Sequence, residues 1–113
     1  MQRDLAYLSD ILQAARLVQA GTQGITESEF SDDWMRQSAI IRQLEIIGEA
    51  TKHLSREFKA SHPEISWKSV AGMRDVLIHA YASVDLKEVW KAAIRDIPQL
   101  IRVIEPLLPL SGE

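Results

Sequence analysis

Leu5, Leu8, Leu12, Ala15 and Val18 recur at three- and four-residue spacing, which predicts a first helix with one apolar face. Gly21 and Gly24 stop it, because glycine readily takes the left-handed conformation that follows a helix end. Residues 22–30 read as a polar connection. Ser31, Asp32 and Asp33 then offer oxygens that cap a helix, and place acids where the helix dipole favours them. The spacing predicts a long second helix over about residues 33–58, with Trp34, Ser38, Ile41, Leu44 or Glu45, Ile47 or Gly48, and Leu54 along its inner stripe. Gly48 inside that helix costs about 1 kcal/mol against Ala, which points to a neighbouring helix passing close by.

Pro63 disfavours helix at His62, so residues 61–66 are a break. Ser66 is placed to cap a third helix with Trp67, Val70, Met73 and Leu77 inward. Asp85 and Glu88 fit a capping box, and Val84 with Val89 fits the hydrophobic staple of a fourth helix. Trp90, Ala93, Ile94 and Ile97 continue its apolar face. Pro98 kinks or restarts the helix, Leu100, Ile101, Ile104 and Leu107 carry it on, and Pro106 and Pro109 end it. No segment shows the period-two alternation of a strand. The expected fold is all-α, a four- or five-helix bundle whose short connections make neighbours antiparallel.

Length and composition narrow the function. The 113 residues, 46% hydrophobic and 26% charged, are expected to form a single domain over 1–113. There is no Cys, so disulfides, thiolate metal sites and thiol nucleophiles are excluded. Thirteen basic and sixteen acidic side chains leave a net charge of −3, which argues against a protein held to nucleic acid or membrane mainly by bulk charge. No run approaches the ~18 apolar residues of a spanning helix, and Asp4 stands where a signal peptide would begin its apolar stretch. The expected setting is cytoplasmic, without contact to a membrane.

The chemistry concentrates in one stretch, Gly72-Met73-Arg74-Asp75-Val76-Leu77-Ile78-His79-Ala80-Tyr81. Imidazole titrates near neutrality and can take and give a proton. Guanidinium holds phosphate through a planar, permanently charged fork. Without an acidic metal cluster, this pair suits cleavage of RNA, where the ribose 2′-OH is an internal nucleophile. Residues five apart on a helix differ by about 140° and ~7.5 Å, so Arg74 and His79 fit a cleft between the helix end and a second surface. A two-fold related copy of the helix would supply it. Read from these residues alone, Arg74 and His79 are also compatible with a solvated helix end, and Tyr81 with a packing aromatic whose hydroxyl is wet.

Arg74-x(4)-His79-x-Tyr81 resembles the Arg-x(4–6)-His signature of HEPN-domain ribonucleases, and with the tyrosine it resembles the HepT-like toxin family. Further stretches in the same order resemble that family: Arg42-Gln43-Leu44-Glu45-Ile46-Ile47-Gly48-Glu49-Ala50, Pro63-Glu64-Ile65-Ser66-Trp67, Val84-Asp85 followed by Val89-Trp90, and Ile97-Pro98-Gln99-Leu100. The resemblance covers nearly the whole chain. It implies a HEPN-type helical bundle and a homodimer with the catalytic groups at its interface. It further implies metal-independent RNA cleavage without a cofactor, as the toxin of a type VII-like toxin–antitoxin pair. The antitoxin it implies is a minimal nucleotidyltransferase that adds AMP to the tyrosine. On this chain Arg74 and His79 take the catalytic positions, Asp75 the supporting polar position and Tyr81 the modified one. Ala80, Ala82 and Ser83 stand where more polar or aromatic residues are expected, which bears on substrate contacts and antitoxin recognition.

Other residues read more plainly. Glu49 and His53, four apart, could share a metal, but the Glu-x-x-His pairs of di-iron bundles are missing, and no metal site is expected. His53 and His62 read as surface histidines. Trp34, Trp67 and Trp90 read as core or interface residues. Arg36, Arg42, Lys52, Arg56 and Lys59 read as a solvated face that would guide RNA if a dimer gathered them beside the motif. Two further classes stay open beside the nuclease: a non-cleaving nucleotide- or substrate-binding subunit of a nucleotidyltransferase complex, and a plain helical dimerisation module.

Overall fold

The computed structural model describes the backbone of residues 2–79 and 85–109, and the side chains there except Gln2 and residues 74–79. Among the described residues the chain is all-α: α1 Gln2–Thr22, α2 Glu27–Ser31, α3 Trp34–Lys52, α4 Arg56–Ser61, α5 Trp67–His79, α6 Leu86–Lys91 and α7 Ile97–Ile104. A π-helical turn, Ala92–Asp96, joins α6 to α7, and a 3₁₀ turn, Glu105–Leu107, follows α7. The long elements α1, α3, α5 and the α6–α7 unit form the expected bundle around Leu8, Ile11, Val18, Ile40, Leu44, Ile47, Val89, Ile97, Leu100 and Ile104, all fully buried.

α1 and α3 are antiparallel. Asp4, at the start of α1, is bonded to Ser55 just beyond the end of α3. Gly21, at the other end of α1, accepts a 2.7 Å hydrogen bond from the Arg36 guanidinium at the start of α3. α5 then returns along α3. Its first residue, Trp67, packs edge-on against Phe58 of α4 with centroids 5.5 Å apart. A turn and a half later, Met73 lines a cavity with Leu44 in the middle of α3.

The polar connection expected at residues 22–30 holds a short helix. Thr26 caps it, accepting from the Glu29 amide, and the Glu29 carboxylate accepts from the Thr26 amide. This reciprocal capping box turns Phe30 inward, fully buried and 5.3 Å from the Trp90 ring. α1 runs through Gly21 to Thr22, and Gly24, at φ +78°, makes the left-handed turn.

The single helix expected over residues 33–58 is two. α3 ends at Lys52, and the His53 amide closes it onto the Ala50 and Thr51 carbonyls. α4 restarts because the Ser55 hydroxyl accepts from the Phe58 amide at 3.1 Å. The inner stripe is Ile40, Leu44, Ile47, Gly48 and Thr51. Trp34 and Ser38, expected inside, are exposed.

Asp85 caps α6 through the Lys87 and Glu88 amides; the Val84 half of the expected staple lies outside the described residues. Ahead of Pro98 the ladder widens, and the Ile97 amide reaches the Ala92 carbonyl five residues back. Proline crowds the carbonyl four residues before it and donates no amide, and a π-turn absorbs that misfit without ending the helix. The wider turn leaves Ile94, expected on the apolar face, exposed. Leu107, beyond α7, is exposed too.

Candidate active site

α5 carries the motif. Its helix continues from Ser66, whose carbonyl accepts from the Val70 amide and whose hydroxyl bonds that of Ser69 at 2.9 Å. Trp67 and Val70 are buried and Met73 is half-buried, as the sequence predicts. Arg74, Asp75 and His79 all fall on this helix, and His79 is the last of its described residues. Asp75 and His79, four apart, occupy one helix face. Arg74 stands about 140° around and ~7.5 Å back from His79. Leu77, expected inward, and Tyr81, two residues after His79 in sequence, lie outside the described side chains.

The motif is located by its surroundings. α5 starts beside α4 and runs back along α3, so His79 lies toward the end of the bundle where α3 begins. The chain is described again at Asp85, the cap of α6, and Trp90 of α6 touches Phe30, three residues before Asp33. Ser69 and Met73, five residues and one residue before Arg74, form one wall of a cavity of about 290 Å³. Its other wall carries Glu88, Lys91, Arg95 and Asp96. Lys91 and Arg95 are cations near the motif that the sequence pattern did not single out. In sequence each stands close to an acid and looks like ordinary helix surface; only the packing of α6 and the π-turn onto α5 brings them near.

The other basic residues do not gather into one track. Arg36 is tied to Asp33 at 3.2 Å and to the Gly21 carbonyl. The Arg36 amide, with help from its guanidinium, lowers the Asp33 carboxyl below its ordinary value. Arg42 lines a cavity between α1 and α3 together with Glu45 and Glu49 of its own helix and Asp10 of α1. Lys52 lines a different cavity with Arg3 and His53, and Arg56 and Lys59 lie on α4.

Of the remaining candidates, His53 stacks on Tyr7 with centroids 4.9 Å apart and sits 3.4 Å from Glu49. Among the described residues, no third His, Asp or Glu completes a metal-binding group with that pair. His62 packs against the Phe58 ring at 4.7 Å and its carbonyl accepts from the Trp67 indole at 2.9 Å. Trp67 and Trp90 belong to the core region, whereas Trp34 does not.

Comparison with known proteins decides the family. The ribonuclease HepT-like family model matches residues 11–107, from the middle of α1 through the 3₁₀ turn and across the whole of α5. The chain belongs to the HepT-like ribonuclease family. It is 48% identical over 101 residues to the "Probable ribonuclease HepT" of Thermococcus cleftensis, covering 89% of this chain and 92% of that one. It is 38% identical to the "Putative RNase TTE0752" of Caldanaerobacter subterraneus, covering 96% of each chain. It is also 38% identical to the "Putative RNase MJ1380" of Methanocaldococcus jannaschii, covering 92% of this chain and 96% of that one. No solved structure matches the chain. The HepT-like assignment agrees with the expected ribonuclease class and with the all-α bundle. No helix among the described residues is long and apolar enough to cross a membrane.

Proposed function

We propose that this HepT-like chain is a metal-independent RNA endonuclease, the toxin of a type VII-like toxin–antitoxin pair. The observation that carries this reading is Arg74, Asp75 and His79 on one helix, α5, in a chain of a ribonuclease family. The working unit is a homodimer whose two-fold axis brings two copies of that helix together. Each dimer then holds two imidazoles and two guanidiniums. One His79 takes the proton from the ribose 2′-OH as its oxygen attacks phosphorus. The other gives a proton to the departing 5′-oxygen. The products are a 2′,3′-cyclic phosphate and a 5′-hydroxyl. Arg74 holds the non-bridging oxygens as charge builds on them, and Asp75 on the His79 face orients the imidazole. An RNA substrate and a chain without Cys support a cytoplasmic setting.

Silencing follows from the same site. The Tyr81 hydroxyl attacks the α-phosphorus of ATP on a nucleotidyltransferase antitoxin, a phosphodiester forms and pyrophosphate leaves. The added anion, two residues from His79, pairs with Arg74 and fills the substrate phosphate position. The test has two arms. Purified unmodified protein should cut RNA in excess chelator, and co-expression with the partner transferase should add the mass of AMP at Tyr81. Modification without any cleavage by the unmodified protein would assign the chain to a non-cleaving subunit instead.

A further inference from the structure

Trp34 and Met35, the first two residues of α3, are 72% and 65% exposed. Among the described residues, the buried stripe of α3 begins at Ile40, so neither belongs to the core. Met35 lines a groove of about 490 Å³ between α1 and α3 with Leu17, itself 53% exposed, Gly21, Ala39 and Gln43. Trp34 sits on the other flank. Arg36 and Ile40 meet α1 at Gly21, and Trp34 lies about 120–160° around the helix from both, on the side of α3 away from α1. α5 packs on α3 as well, and its His79 end points to this end of the bundle. Adjoining apolar groups of this size mark an interaction surface rather than scattered exposure, and Trp and Met are enriched at interface centres.

Charge selects the occupant. Glu27, Glu29 and Asp32 are exposed, Asp33 is half-exposed, and the base nearest in sequence, Arg36, is held by Asp33 and a carbonyl. An acidic rim repels RNA phosphates. It also repels a second copy of itself placed across a two-fold axis. It attracts a protein with an apolar pocket rimmed by Lys and Arg. We infer that the Trp34–Met35 surface with its acidic rim is the docking site for such a basic-rimmed protein, the transferase that brings AMP to Tyr81. The inference rests on the antitoxin reading above and adds where the partner holds the toxin.

The test measures AMP transfer from ATP to the full-length chain by the partner transferase, with the toxin concentration varied. The variants are Trp34→Ala with Met35→Ala, and Glu27→Lys with Asp32→Lys; all four side chains are exposed, and circular dichroism checks that both variants fold. Each is expected to raise the KM for the toxin at least tenfold with kcat unchanged, and raising salt should weaken the wild type toward the charge variant. RNA cleavage and the sedimentation of the dimer should stay as in wild type. Transfer to both variants with wild-type KM overturns the docking site while leaving the antitoxin reading intact. No transfer to the wild type overturns both. A selective rise in the KM for RNA makes Trp34 a base-stacking residue instead, and dissociation to monomers makes the patch a self-association surface; each of these also overturns the inference.

Discussion

The Asp4 carboxylate, at the start of α1, accepts both the amide of Ser55 at 2.8 Å and its hydroxyl at 2.6 Å. That contact spans 51 residues of sequence. It fixes the antiparallel pairing of α1 and α3, and it explains why α3 stops. The same Ser55 hydroxyl that donates to Asp4 accepts from the Phe58 amide, so one side chain closes the α1 contact and opens α4.

Replacing Asp4 by Ala should therefore cost about 2 kcal/mol, in the range for hydrogen bonds to a charged group. The chain still folds, and urea denaturation at neutral pH reads the loss. Ser55→Ala should lose a similar amount, with a double-mutant cycle showing strong coupling between the two.

The same contact sets a pH dependence. Burial by itself would raise the Asp4 carboxyl; the two Ser55 hydrogen bonds outweigh it, Arg3 adds to them, and the group falls below its ordinary value of 3.8. A carboxyl depressed in the folded state binds its proton more readily when unfolded. Its contribution is thus complete above the ordinary value and is lost as pH falls through the depressed folded one. Denaturation midpoints followed from pH 7 down to pH 2 should drop for the wild type on the acid side, and Asp4→Asn should flatten that part of the curve.

The α2 capping box supports a buried aromatic. Thr26→Ala should cost about 1 kcal/mol as a lost cap, and Phe30→Ala about 3–5 kcal/mol as a cavity in the core. Both changes also loosen the contact with Trp90, so indole fluorescence should shift along with the unfolding midpoint. An unchanged midpoint for Phe30→Ala would contradict its placement.

At the proposed active site, His79→Ala should slow RNA cleavage by about 10²–10⁴-fold and Arg74→Ala by about 10²–10³-fold. Helical content and dimer mass should be unchanged in both. Excess chelator should leave the wild-type rate untouched. Cleavage by both variants at the wild-type rate would remove these residues from the mechanism.

The sequence by itself determined the helical class, the starts of α3, α5 and α6, and the placing of Arg74, Asp75 and His79 on one helix. Those features rest on short-range physics: 3.6-residue spacing of Leu, Ile and Val, cap oxygens at Asp33 and Asp85, and Pro63 as a breaker. The Thr26 and Glu29 box is equally local, with partners three residues apart, but the hydrophobic pattern reads residues 22–30 as a polar connection and misses its helix. Tertiary structure alone decided where α3 ends, because Ser55 restarts the helix with Asp4 pressed against it from 51 residues away. It likewise decided that Trp34 faces outward although its spacing with Ile41 suits a core stripe: the buried stripe of α3 begins only at Ile40. Lys91 and Arg95 come near the motif helix only through the packing of the π-turn ahead of Pro98. A helix period reports which residues share a face, and only the packing of other helices says whether that face is covered.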